Sequence, residues 1–183
     1  MRIVVGVTGA SGAIYGYTLI QLLSQMGIEV HTVYTEMGEK VLQHECGVSL
    51  AEISRYAHVY QNNNLFAPIA SGSFKTQGMV VVPCSMHTLG AIANGTGEDL
   101  LTRAADVTLK EGRKLIVVPR ETPVTVIHLE NMLRLARAGA IILPASPAFY
   151  HRPQNLSDLV SFMAGKIFDV LGIEHNLFQR WGE

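Results

Sequence analysis

The chain has 183 residues, 48% of them hydrophobic and only 16% charged, with a net charge of −1. That length suits one domain with a real core, and a charged fraction below the roughly 25% of average soluble chains implies apolar surface for a second copy to cover. No basic run gives nucleic acid a footprint, and no apolar stretch approaches the ~18–20 residues of a membrane-spanning helix.

Cys46 and Cys84 show neither CxxC nor metal-site spacing, which favours buried thiols over a disulfide. Residues 2–7 (RIVVGV) open directly as a strand, with no basic leader and cleavage site before them, so a cytoplasmic location is expected.

The first strand is predicted at Ile3–Val7. The turn after it, Thr8-Gly9-Ala10-Ser11-Gly12-Ala13, leads into a helix from about Ala13 to Met26, where Leu19, Leu22, Leu23 and Met26 recur at helical spacing and Gly27 is the stop. Glycines let a backbone approach a ligand closely, and a helix N-terminus attracts phosphate. The turn is neither GxGxxG nor a Walker A loop, so it reads as an anion or cofactor loop or as a plain tight turn. A second strand, Val30–Tyr34, is followed by Glu36, which suits a solvated helix-cap acid or a ribose ligand of the kind found in NAD proteins. A short strand is possible at His58–Tyr60. Residues 61–78 (QNNNLFAPIASGSFKTQG) then form a long polar stretch. Such loops are usually functional or disordered, and the apolar LFAPIA within it argues against simple disorder.

Strand Met79–Pro83 ends in Cys84-Ser85-Met86-His87-Thr88. Ser85 and Thr88 flank a helix start, where hydroxyls and free amides hold a phosphate or a flavin edge, or where Ser85 is a simple N-cap. Cys84 reads as core rather than nucleophile. The helix from Glu98 to about Glu111 carries Arg103, Asp106 and Lys110 on one face, with Asp106 and Lys110 as a solvated i,i+4 pair. Strand Leu115–Val118 runs into Pro119-Arg120-Glu121-Thr122-Pro123, whose charged pair is a site candidate or a surface ion pair. Thr125 caps a helix expected to bury Leu129, Met132, Leu133 and Ala136 before Gly139. The last strand, Ala140–Leu143, leads into a proline-stiffened segment, residues 144–153, whose Phe149 and Tyr150 wall a pocket or plug the domain end. A helix from Ser157 to Leu171 places Lys166 on an apolar stripe with Phe162, Met163 and Val170, where it snorkels or faces a buried anion or subunit boundary.

Continuous apolar strands alternating with helices predict a single α/β domain over residues 1–183, a three-layer αβα sandwich around a doubly wound parallel sheet. In such sheets ligands bind at the carboxyl ends of the strands, where strand order reverses. Two hydroxyl-rich loops after separate strands suit a nucleotide crevice. The seven histidines form no HxH or HExxH pattern and DDxxD is missing, so no metal site is expected.

The ordered set TGASGAIYG, SGSFKTQGMVVVPCSMHT, RAADVTLKEGRKLIVVPRETP, IHLENML and LPASPAFYHRPQ, through the terminal RW, resembles the flavin prenyltransferases of the UbiX type over nearly the whole chain. The resemblance implies an FMN-binding, Rossmann-like or flavodoxin-like subunit assembled as a homo-oligomer, usually a dodecamer. It implies transfer of a dimethylallyl group from dimethylallyl phosphate to N5 and C6 of reduced FMN, giving prenylated FMN for a UbiD-type decarboxylase. Carried over by position, Gly9, Ala10, Ser11, Thr35, Ser85, Met86, His87, Thr88 and Arg120 would contact FMN. Lys110, Arg120, Tyr150 and Lys166 would hold the prenyl phosphate, Glu121 and Ser11 would move protons, and Trp181 would lie near the prenyl tail. The C-terminal helix and tail, about 155–183, would contribute to the site or to subunit contacts. Lys166 stands where many relatives carry arginine, and His87 stands where lysine or glycine is common. The missing DDxxD and the resemblance favour a monophosphate donor. A decarboxylase of the same fold is the alternative, although its PASANT-type loop reads PASPAFYH here and its Met-rich segment is missing. A non-catalytic flavin carrier is another.

Overall fold

The computed structural model describes residues 1–182. Six strands, β1 (Arg2–Val7), β2 (Glu29–Tyr34), β3 (His58–Gln61), β4 (Gly78–Cys84), β5 (Lys114–Pro119) and β6 (Ile141–Ile142), form one sheet in the order β3-β2-β1-β4-β5-β6. Every pairing is parallel. This order is the Rossmann arrangement rather than the flavodoxin one. Seven helices cover the sheet: α1 (Ala13–Gln25), α2 (Glu36–Cys46), α3 (Leu50–Ile53), α4 (Met86–Asn94), α5 (Leu100–Lys110), α6 (Val126–Arg137) and α7 (Leu156–Leu171). None of them is long and apolar enough to cross a membrane.

Strand side chains alternate between the faces, so each strand feeds two cores. Ile3, Val5, Val80, Val82, Ile116 and Val118 pack with α1 and α7. Val4, Met79, Val81, Leu115 and Val117 pack with α4 and α5 on the other side. Close seating of α1 depends on Gly16, where a Cβ would lie 2.5 Å from the Val82 carbonyl oxygen.

Several expectations shift. The β6 strand spans Ile141–Ile142 rather than Ala140–Leu143, and α5 begins at Leu100 with Asp99 as its N-cap. Helix α2 carries too few apolar residues to announce itself, burying only Gly38 and Leu42, and α3 is only four residues long. Glu36 lies in the first turn of α2 and pairs with Lys40, as a solvated helix acid would. Helix α6 departs most. Leu129 and Leu133 are about half exposed, and Leu135 is the residue it buries. With Val126 and Ile127 also exposed, α6 turns an apolar face outward.

The long stretch 61–78 is a strap pinned along α5. Asn62 bonds Asp99 and the Leu101 amide, Arg103 donates to the Ala70 carbonyl, and Arg113 donates to the carbonyls of Gly72 and Phe74. Ala67 and Ile69, from LFAPIA, are buried beneath it.

Candidate functional site

Strand order reverses between β1 and β4, and the loops leaving those strands meet there. Thr8, fully buried, joins them. Its amide and hydroxyl donate to the Pro83 carbonyl at 3.2 and 2.8 Å, and the hydroxyl oxygen accepts from the Ser85 amide at 2.7 Å. Past Thr8 the chain turns through Gly9, Ala10 and Ser11 to Gly12. The φ of +102° at Gly12, the N-cap of α1, favours glycine.

The N-termini of α1, α2 and α4 all open at this carboxyl edge, so their dipoles favour a negative group there. Thr35 caps α2 by accepting from the Gly38 amide at 3.0 Å. Ser85 caps α4, its hydroxyl oxygen accepting from the Thr88 amide at 3.3 Å and its hydroxyl donating to the Thr88 Oγ1 at 3.2 Å. Met86 is half-buried, His87 exposed and Thr88 buried. Cys84 is fully buried and its thiol pKa is pushed far up by desolvation, which makes it a core residue.

Arg120, just past β5, reaches back to donate to the Ser11 carbonyl at 3.1 Å. Glu121 does not pair with it; its carboxylate accepts from the Thr122 amide at 3.0 Å and is exposed. The third member of this corner was not anticipated. Glu45, near the end of α2, accepts from the amides of Gly12 and Ala13, each at 2.9 Å. Partial burial works to raise its pKa, but hydrogen bonds from the Ser11 side chain and from the two amides, with the Arg120 charge, outweigh that and hold it below the ordinary carboxylate range. The sequence did carry a signal. Glu45 follows Val41 and Leu42 at helical spacing, so a helix there puts a carboxylate on its inward face.

Other candidates lie elsewhere. Tyr150, past β6, meets Trp181 edge to face at 5.5 Å. They help line a cavity of about 340 Å³ with His151, Arg152, Gln179 and Arg180. The tail runs back along α7, held by Asp169, whose carboxylate takes Arg180 at 2.8 Å, His175 at 3.2 Å and Lys166 at 3.4 Å. Lys166 is thus a half-exposed lysine with a carboxylate partner. Lys110 ends α5, four residues before β5 begins, at the amino end of the sheet. It pairs with Glu111, while Asp106 takes Arg103, so the expected Asp106–Lys110 pair does not form.

A Rossmann-ordered sheet with hydroxyls, helix N-termini and an arginine converging at its switch point forms a crevice suited to a phosphate-bearing ligand. The model of the Flavoprotein family matches residues 1–168. A flavin prenyltransferase UbiX of Methanocaldococcus jannaschii is 47% identical over 183 residues, covering 100% of this chain and 99% of that one. A crystal structure of AnUbiX (PadA1) in complex with FMN and dimethylallyl pyrophosphate superposes with a TM-score of 0.97 at 42% identity, covering 100% of this chain and 97% of that one. A dodecameric FMN-dependent UbiX-like decarboxylase from Escherichia coli O157:H7 gives a TM-score of 0.97 at 43% identity, with both chains fully covered. The chain belongs to the UbiX flavin prenyltransferase family.

Proposed function

We propose that the chain transfers a dimethylallyl group from dimethylallyl phosphate to N5 and C6 of reduced FMN, releasing prenylated FMN for a UbiD-type decarboxylase. The observation that carries this reading is the Ser11–Glu45–Arg120 corner at the switch point of a chain 47% identical, end to end, to a flavin prenyltransferase.

The residues present fit FMN. The Gly12 and Ala13 amides already donate to a carboxylate, and capping hydroxyls stand at the starts of α2 and α4. Gly9, Ala10, Ser11, Thr35, Ser85, Met86, His87, Thr88 and Arg120 would hold it. When bound, reduced FMN supplies the nucleophilic ring atoms. The chain supplies charge and proton handling. Arg120, Lys110, Lys166 and the Tyr150 hydroxyl neutralise the departing phosphate, which needs no metal where cations are preorganised. Tyr150 and Trp181 offer aromatic faces to an allyl group that gains positive character as phosphate leaves. Ser11, Glu121 and Glu45 move the proton lost when the second bond closes.

One chain does not bring these groups together, because Lys110 stands at the far end of the sheet. We infer that Lys110 serves the crevice of a neighbouring copy. A closed assembly such as a dodecamer supplies that copy and covers the outward face of α6, and the C-terminal helix and tail join the site or the subunit contacts. The expected compartment is the cytoplasm, where Cys46 and Cys84 stay reduced. Incubating the purified chain with reduced FMN and each donor, with and without a chelator, and weighing the flavin by mass spectrometry tests the reading. A flavin heavier by one five-carbon unit with the monophosphate, chelator or not, is expected. Unmodified FMN with both donors overturns it, and modification by the diphosphate alone overturns the choice of donor.

A further inference from the structure

At the amino end of the sheet, opposite the flavin crevice, lies a second polar cluster that the proposed reaction does not use. Glu29 and His31 stand two apart on β2 and so share one face. The parallel register sets His58 of β3 directly beside His31, and Tyr60 follows on the same face. The His31 and His58 rings stack with centroids 4.9 Å apart. His31 Nε2 lies 2.9 Å from Glu29 Oε1, and Nδ1 lies 2.8 Å from the Tyr60 hydroxyl. One ligating atom from each of Glu29, His31 and His58 falls within 4.8 Å of the others. Glu29 and His58 also line an open groove of about 250 Å³ with Ile28, Ser54 and Tyr56, which gives solvent access.

We propose that Glu29, His31 and His58 form a site for a divalent transition ion of the zinc, nickel or copper class. Imidazole and carboxylate are the donors such ions take. Metal–ligand bonds of about 2.0–2.2 Å put the donors roughly 3.3 Å apart in a tetrahedral site. Exposed His58 closes the remaining distance by rotating, and water completes the shell. Tyr60 is the outer partner that makes the exchange simple. Without metal, Nε2–H donates to Glu29 and the Tyr60 hydroxyl donates to Nδ1. With metal, Nε2 binds the ion, the ring proton sits on Nδ1, and the Tyr60 oxygen accepts it. Arg2 holds the other Glu29 oxygen at 2.8 Å, leaving Oε1 for the ion. Bound metal would staple β3, an edge strand of four residues, to β2. Histidine spacing conceals this site because its two imidazoles come from different strands.

The test is a calorimetric titration of zinc into the full chain after chelator treatment, with the cobalt absorption spectrum as a second reading. His58→Ala and Glu29→Gln both change partly exposed side chains, so the fold survives, which circular dichroism checks. One zinc per chain, a raised Tm and at least a tenfold loss of affinity in each variant are expected, since even outer partners are worth roughly 10–100-fold. Cobalt should show ligand-field bands without thiolate charge transfer. Absent stoichiometric binding, unchanged affinity in either variant, or a thiolate band would overturn the proposal.

Discussion

Lys166 and Glu45 are the residues whose behaviour most sharply separates catalysis from architecture. If Lys166 only neutralises Asp169, Lys166→Met costs little, because an exposed pair is worth about 0–1 kcal/mol. If it grips the leaving phosphate, Lys166→Met lowers donor efficiency about ten- to a hundred-fold, from a charged hydrogen bond worth roughly 1.5–3 kcal/mol, while FMN affinity holds. Lys166→Arg restores most of the loss. Steady-state kinetics beside a separate FMN titration decides, and wild-type efficiency in Lys166→Met returns the residue to the surface. Glu45 makes a prediction about acid. Its folded pKa is depressed, so its contribution is present above the unfolded value of about 4.3 and is lost as pH falls through the folded value. Glu45→Gln keeps an acceptor oxygen but not the charge. The Tm gap between wild type and variant should therefore narrow from about pH 6 to about pH 3. A gap independent of pH means the charge is not engaged.

Among the elements, the Thr8 junction between the loops after β1 and β4 is the one to probe. Thr8→Val keeps the shape but leaves the Ser85 amide without its acceptor, a loss of about 1–3 kcal/mol. A lower urea midpoint at unchanged slope, together with weaker FMN binding, is expected; an unmoved midpoint refutes the role. The buried strands were legible in the sequence because their apolar runs are covered on both faces. The loops after β1 and β4 were legible because hydroxyls and glycines cluster there. Helix α2 is fainter, since it buries little, and Glu45 is marked only by its helical spacing from Val41 and Leu42. The outward face of α6 is illegible for a different reason. Helical periodicity reports that Leu129 and Leu133 share a face, but not whether that face meets its own sheet or another molecule.

For the whole molecule, the sheet separates the groups that the proposed reaction would unite. Arg120, Glu121 and the crevice stand at its carboxyl end and Lys110 at the other. Ile127→Asp, on the exposed face of α6, should fragment the assembly in sedimentation and abolish turnover, while each free chain stays folded. Intact assembly would move the contact elsewhere. The placement of Lys110 also has a genetic consequence. If Lys110 serves a neighbouring crevice, Lys110→Met and Glu121→Gln should each be inactive alone, with the two lesions in different chains at any one site. Co-expressed, the two mutants would complement each other, with about a quarter of randomly mixed sites receiving both intact residues. A site built within one chain would never recover in this way.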